Sequence, residues 1–225
     1  GVVNIKNAGA MSVSTTSTKG GQTGALFVNA GGTINIHNAG ADNVLTLRAK
    51  STAPGNAAVI KSMNGVSGVM SAITVDGLVD ILAEKSGASG ANEAISAVAS
   101  KVEIGGGVIK AINGAEYAIR AYGEFASKNR GQVNVNVKKD AKGAIIGAGS
   151  NTVQLEGNVY LGGGMDNAGA NADVSLGLNT KDSFWKGDVS NANGSSEGIV
   201  NLYMGSGATW TGNNLSGNTV NANLD

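Results

Sequence analysis

Two glycine-hinged decapeptides set the terms on which this chain can fold. Ala72–Ile81 reads AITVDGLVDI and Lys101–Lys110 reads KVEIGGGVIK. In each, two short runs alternate apolar and polar residues on either side of glycine, as strands with one buried face do. Thr152–Leu161, TVQLEGNVYL, reads as a third copy, and Val133–Val137, VNVNV, as a shorter version without the glycine. A third strand piece accompanies the hinged pair: NAAVIKS from Asn56, NEAISAV from Asn92, EYAIRAY from Glu116 and KGAIIGA from Lys142, with a looser copy at Ala25–Val28. Lys101–Gly123 therefore holds a whole unit, with strands at Val102–Ile104, Val108–Ala111 and Ala118–Ala121. The equivalent isoleucines Ile95, Ile119 and Ile145 recur at a nearly even interval. A period near 25 with variable insertions is the mark of a solenoid.

One three-stranded unit cannot bury its own inner face. Stacking units with strands about 4.8 Å apart closes the backbone hydrogen bonds and makes a continuous apolar column. The inward positions expected are Val102, Ile104, Ile109, Ile119, Val133, Val135, Ile145, Val153 and Leu155. At about 25 residues per turn the chain would make roughly nine turns, a rod on the order of 40 Å long. A left-handed β-helix needs a strict six-residue repeat, and none is present. The expected fold is all-β: a right-handed parallel β-helix with three short strands per rung. Its open ends invite pairing, so the intact protein is expected to cap both. Further strands are expected at Val2–Ile5, Thr33–Ile36 and Val44–Leu47, with sharp Asn-Ala-Gly corners at Asn7, Asn29 and Asn38, where asparagine and glycine tolerate positive φ. Asn92–Lys101 also carries a helical stripe (Ile95, Val98, Ala99, Val102), but Gly87, Gly90 and the alignment with its sister segments favour a strand.

Composition agrees with such a stack. Hydrophobic residues make up 41% of the chain and charged residues only 14%, which argues against a long solvated or disordered chain. Aromatics are 4%, so the core must be aliphatic and β-branched, which suits sheets. Sixteen basic residues balance sixteen acidic ones, without the basic footprint that nucleic-acid binding needs. No run of 18 apolar residues exists to span a membrane. Gly1-Val2-Val3 opens directly in strand-like sequence, so the chain is expected to be a piece of a longer protein, forming one domain over residues 1–225. The absence of cysteine suits an exported chain but decides little.

The last section repeats in a different key. Val174-Ser175-Leu176 leads to Trp185-Lys186-Gly187, and Val200-Asn201-Leu202 leads to Trp210-Thr211-Gly212, so the two tryptophans occupy equivalent places in the repeat. The stretch Val200–Asn214, VNLYMGSGATWTGNN, with its fainter copy VSLGLNTKDSFWKGD, resembles the passenger regions of bacterial autotransporters near their approach to the outer-membrane barrel. The Gly/Asn/Ala-rich rungs before it are similar in style along essentially the whole chain. The resemblance implies a β-helix exported to the bacterial cell surface through its own barrel, with residues 162–225 nearest that barrel. It implies adhesion or cell–cell self-association, with a host or bacterial surface protein, a glycan or a second rod as partner.

Candidate chemistry is sparse. His37 is the only histidine and stands outside any motif, so it reads as a surface or edge residue. One histidine and no cysteine exclude transition-metal sites built on nitrogen and sulfur. No G-x-S-x-G elbow supports a nucleophilic serine. Asp76 and Asp80 are separated by the hinge at Gly77, Asp166 and Asp173 flank a glycine-rich loop, and Arg48-Ala49-Lys50 is an isolated Arg-x-Lys. Glycosidases need two carboxyls at a defined separation in a groove. Gly105-Gly106-Gly107 and Gly162-Gly163-Gly164 lack the G-K-[ST] continuation of a phosphate loop and read as strand corners. Hence no catalytic, cofactor-binding or metal-binding residue is expected. Trp185 and Trp210 read as large caps for the final rungs, with Tyr160 and Tyr203 as the other recognition candidates. Asn134, Asn136 and Thr74 are expected to form outward ladders, and Ser51–Gly55, Gly87–Gly90 and Gly163–Ala172 to be contact loops on one face. Glu103, Lys110, Glu116 and Arg120 align with Thr74, Gln154, Gly143 and Ile146, which reads their charges as incidental to a scaffold. The rival class is a carbohydrate-active enzyme on the same fold. Clustered carboxylates in a groove would mark the enzyme, and a smooth Asn/Thr/Ser face would mark adhesion. A third reading is an inert spacer.

Overall fold

The computed structural model describes residues 1–7, 9–18, 23–38, 40, 43–52, 57–63, 69–86, 92–123, 129–162, 172–191, 198–215 and 218–224. The first turn is β1 (Val2–Asn7), β2 (Met11–Ser17) and β3 (Thr23–Val28), and the second is β4 (Thr33–Asn38), β5 (Val44–Ser51) and β6 (Ala57–Met63). Next come β7 (Ala72–Asp76), β8 (Leu78–Lys85) and β9 (Asn92–Val98), followed by β10 (Lys101–Ile104), β11 (Gly107–Ile112) and β12 (Tyr117–Tyr122). The fifth turn starts with β13 (Gly131–Val135), inserts β14 (Val137–Lys139) and β15 (Ile145–Ala148), and closes with β16 (Val153–Glu156) and β17 (Val159–Gly162). β18 (Ala172–Leu178), β19 (Phe184–Lys186) and β20 (Val189–Asn191) make the sixth. β21 (Ile199–Met204) and β22 (Thr209–Thr211) belong to the seventh, and β23 (Thr219–Leu224) begins an eighth.

Three parallel sheets of eight, seven and six strands result, each built from every turn's corresponding side, so the fold is a three-sided parallel β-helix. Crossovers between parallel strands of one sheet run right-handed in almost all proteins, because twisted strands pack back onto the sheet only that way. Turns differ widely in length: Ile199 lies directly below Thr219, whereas Gln132 lies below Asp173, far along the chain. The period near 25 holds only between particular neighbours, such as Ile95↔Ile119 and Trp185↔Trp210. Most other turns are longer, while the turn from Ile199 to Thr219 is shorter. Among the described residues the chain therefore makes seven turns and a strand, not nine, and the first sheet spans about 34 Å at the usual strand separation.

The core is a set of stacked columns. On the first sheet Ile34, Ile73, Val102, Val133, Val174 and Val200 stand in unbroken register, with Ile36, Val75, Ile104, Val135, Leu176 and Leu202 two residues further along. On the second, Leu47, Ile81, Ile109 and Leu155 lead into Trp185 and Trp210. On the third, Leu26, Ile60, Ile95, Ile119, Val159 and Val189 align. Burying each such aliphatic side chain contributes about 1.5–3 kcal/mol. Val59, Ala94 and Ala118, beside the isoleucines of the third sheet, also join the core.

Two alignments of the third piece and the hinge are corrected. KGAIIGA is not a third-sheet strand: β15 pairs antiparallel with β14 in a hairpin, so Ile145 is only half-buried and Ile146 is 55% exposed. The hairpin turn is chemically explicit. Asp140 Oδ1 accepts from the Lys142 and Ala144 amides at 2.9 Å each, and Gly143 has φ 83°. TVQLEGNVYL turns the corner from second sheet to third, whereas AITVDGLVDI and KVEIGGGVIK turn from first to second. Alternation about glycine is common to both corners. VNVNV is a first-sheet strand as expected, with Asn136 at the hinge. It adopts φ 50°, and its Nδ2 donates to the carbonyls of Asn151 (2.7 Å), Gly177 (2.8 Å) and Gly149 (3.3 Å). Asn136→Ala is expected to cost about 3 kcal/mol, from lost hydrogen bonds plus a left-handed alanine. Asn136→Gly should cost less, since only the hydrogen bonds go. Urea unfolding of the pair checks this.

β2 has no counterpart in the sequence reading. Of the Asn-Ala-Gly corners, Asn29-Ala30-Gly31 turns with positive φ on Ala30 and Gly31, Gly40 also has positive φ, and Ala8 and Ala39 lie outside the described residues. Asn7 and Asn38 instead stack, Asn7 Nδ2 donating to Asn38 Oδ1 at 2.8 Å and Asn38 Nδ2 to the Leu78 carbonyl at 2.9 Å. Asn92–Val98 is a strand, so the helical alternative does not occur.

Candidate binding face

The outer side of the first sheet carries a second kind of column. Asn4, Asn35, Thr74, Glu103, Asn134, Ser175, Asn201 and Asn221 stand in register on all eight strands. Alternation forces this, because in the first-sheet strands from β4 to β21 their neighbours pack in the core. Asn35 Nδ2 donates to Asn4 Oδ1 at 2.9 Å, Asn134 Nδ2 to Glu103 Oε1 at 3.3 Å and Asn221 Nδ2 to Asn201 Oδ1 at 3.0 Å. The expected outward ladder of Thr74 and Asn134 is present. Asn136 leaves it to serve the hinge.

The β14–β15 hairpin stands against β18 and β21 and walls this face. It is tied down by Lys139, which pairs with Glu103 alongside Lys101 at 2.6 Å. On one side of the tie lies a groove of about 360 Å³ bounded by Thr74, Asp76, Glu103, Asn134 and Asn151. On the other, a groove of about 430 Å³ is bounded by Arg130, Gln132, Asp173, Asn201 and Tyr203. A third, also about 430 Å³, lies over Asn4, Lys6, Asn35, His37 and Asp76.

Burial alone would raise the Glu103 pKa, but hydrogen bonds and charge from Lys101 and Lys139 outweigh it and hold the carboxyl below its ordinary range. A depressed carboxyl stabilises the fold above its unfolded pKa and loses that contribution as pH falls through the folded value. The urea midpoint should therefore drop on acidification into the acidic range, and Glu103→Gln should flatten that drop. An equal acid loss in both proteins would refute the assignment.

His37 is on the outer face, its Nδ1 at 2.6 Å from Asp76, both more than half exposed. Asp76 and Asp80 do lie on different sheets, and Asp80 pairs with Arg48, which accounts for the Arg-x-Lys. Asp173 holds Arg130 at 2.6 Å. Gly105–Gly107 form the β10–β11 corner, while Gly163, Gly164 and Asp166 fall outside the described residues, as do 53–55, 87–90 and 163–171 of the expected contact loops. Trp185 is fully buried and stacks on Trp210, centroids 5.0 Å apart and planes 9° apart. Their Nε1 groups donate to the Gly157 and Gly187 carbonyls at 3.1 Å, so both complete the core as expected. Among the described residues no group of three metal-ligating side chains gathers, and no helix is long and apolar enough to cross a membrane.

Sequence reasoning missed a polar cluster on the third sheet. Lys110 stands opposite Glu156, which it pairs with at 3.0 Å, and Arg120 opposite Ser96 and Tyr160, so neither matches Gln154 or Ile146. Glu103 does stand opposite Thr74, but its two lysines make its charge structural. The available signal was the bunching of Tyr117, Tyr122 and Tyr160, three of the four tyrosines, on adjacent strands. No family model, curated protein or solved structure matches the chain.

Proposed function

We propose that this chain is a section of a β-helical rod displayed on a bacterial cell surface, acting in adhesion or cell–cell association through the outer face of its first sheet. The observation that carries the reading is that column of amides and hydroxyls, flanked by three grooves and walled by a hairpin. The amides of Asn4, Asn35, Asn201 and Asn221 lie toward the two ends of this column and offer both donors and acceptors to a polar partner, while Asn134 and Ser175 between them are buried and Glu103 is held by its two lysines. A surface protein, a glycan or the same face of a second rod meets that requirement. The autotransporter resemblance of Val200–Asn214 supports export through a barrel carried by the parent protein, with the rod outside the cell. Nucleic acid is disfavoured by the balanced charge.

The enzyme reading is weaker on physical grounds. A glycosidase acid must stay protonated near neutral pH, and Glu103 is driven the other way, while Asp76 and Asp173 are each paired with a cationic or protonatable side chain. The test is to display the parent protein on cells with Asn4, Asn35, Asn201 and Asn221 replaced by alanine. Aggregation and surface binding should fall while surface expression holds. Unchanged aggregation and binding would remove the proposal.

A further inference from the structure

The third sheet carries a buried polar cluster with unmet hydrogen-bonding capacity. Lys61, Ser96, Arg120 and Tyr160 stand in register on β6, β9, β12 and β17. They alternate with the core residues Ile60, Ile95, Ile119 and Val159, so they lie on the outer side. Glu93 joins them, its Oε1 at 2.8 Å from Arg120 Nη1. The Arg120 guanidinium lies 5.4 Å from the Tyr122 ring centroid and 5.7 Å from that of Tyr160. Tyr117 packs on Tyr160 with centroids 4.8 Å apart.

An outer face should be wet, yet Lys61 is 4% exposed, Ser96 1% and Glu93 0%. Glu93 Oε2, Ser96 Oγ and Arg120 Nε are all buried without a hydrogen-bond partner. Each such atom costs about 1–3 kcal/mol, and folded proteins leave few of them. Three within one cluster is a concentrated cost, of the kind that a binding site recovers when its ligand arrives. Burial also pushes the Lys61 ammonium below its ordinary pKa, with Glu93 opposing and Arg120 adding to the shift.

The unmet atoms specify the ligand's chemistry. Glu93 Oε2 needs a donor, Arg120 Nε needs an acceptor and Ser96 Oγ can take either. Adjacent hydroxyls on one ring supply all three, since each hydroxyl both donates and accepts. The half-buried tyrosines add flat apolar walls of the size of a sugar's C–H face, next to polar groups that fix orientation. The Arg120 side chain, 27% exposed, is the part of the charged centre open to solvent. We propose that this cluster is a binding site for a neutral pyranose residue of a glycan, with vicinal hydroxyls on Glu93 and Arg120 and the ring against Tyr117 and Tyr160. This site is on a different sheet from the adhesive column, and the two stand or fall separately.

Saturation-transfer NMR of the whole chain with the methyl glycosides of glucose, galactose and mannose, and with galacturonic acid, tests it. Transfer to the ring protons of at least one neutral glycoside is expected. Tyr160→Ala should abolish the transfer, and the near-isosteric Glu93→Gln should weaken binding by roughly tenfold, in keeping with loss of one charge-assisted hydrogen bond. Thermal melts of both variants show whether the fold is retained, and Glu93→Gln preserves the test if Tyr160→Ala unfolds. No transfer from any neutral glycoside, binding unchanged in Glu93→Gln, or binding of galacturonic acid alone would each overturn the site.

Discussion

Ile119→Ala is expected to destabilise the fold by about 2–5 kcal/mol, while Ile146→Ala should change it by no more than about 0.5 kcal/mol. The two lie in look-alike segments, EYAIRAY and KGAIIGA, with Ile146 one residue past the counterpart of Ile119. Ile119 is fully buried between Ile95 and Val159, so truncation opens a cavity in the middle of the third-sheet column. Ile146 stands on the hairpin with 55% of its surface exposed, and its loss opens nothing. For a chain of this size the first change lowers the melting temperature by roughly 5–15 °C, and the second leaves it in place. Equal effects would mean that β15 belongs to the solenoid wall and that the hairpin assignment is wrong.

Gly107→Ala is expected to be at least as damaging, about 4 kcal/mol or more, against about 1 kcal/mol for Gly143→Ala. Both glycines have positive φ, 112° and 83°, so both substitutions strain the backbone. What separates them is space. A Cβ on Gly107 would overlap the backbone of Val79 on the neighbouring turn, whereas one on Gly143 meets nothing within 4 Å. The rigid obstacle at Gly107 is the parallel strand directly beneath, which cannot yield without opening the stack. Circular dichroism melts of the two variants measure the difference. Similar melting temperatures would show that conformational strain, not inter-turn packing, sets the requirement for glycine at the corner.

Much of the fold was legible locally. Val102, Ile104, Ile109, Ile119, Val133, Val135, Val153 and Leu155 are all buried as their alternation predicts. Trp185 and Trp210, equivalent in the repeat, do stack in register. The candidate face was legible only in part. Thr74 and Asn134 were readable as outward residues, but the column they join runs through turns of very unequal length. Nothing in the sequence indicates that Lys139 ties a hairpin across Glu103, because that contact depends on where an insertion folds back. The Lys61–Glu93–Arg120 cluster was hidden for a related reason. Charges within strands read as solvated, and only the stacking of turns shows that these are buried.

By itself the amino-acid sequence determined that the chain alternates, hinges at glycine and stacks into a three-stranded solenoid with an aliphatic interior. Those properties follow from period-two burial and local backbone freedom, which act within a few residues. Which corner each hinge turns, how many turns are made and which insertion stands outside the wall were decided only by tertiary structure. All three sides share one hydrophobic alternation, so a segment such as TVQLEGNVYL satisfies either corner. Its place is selected by the strands above and below, where Leu155 continues the column of Ile109 while Val159 continues that of Ile119.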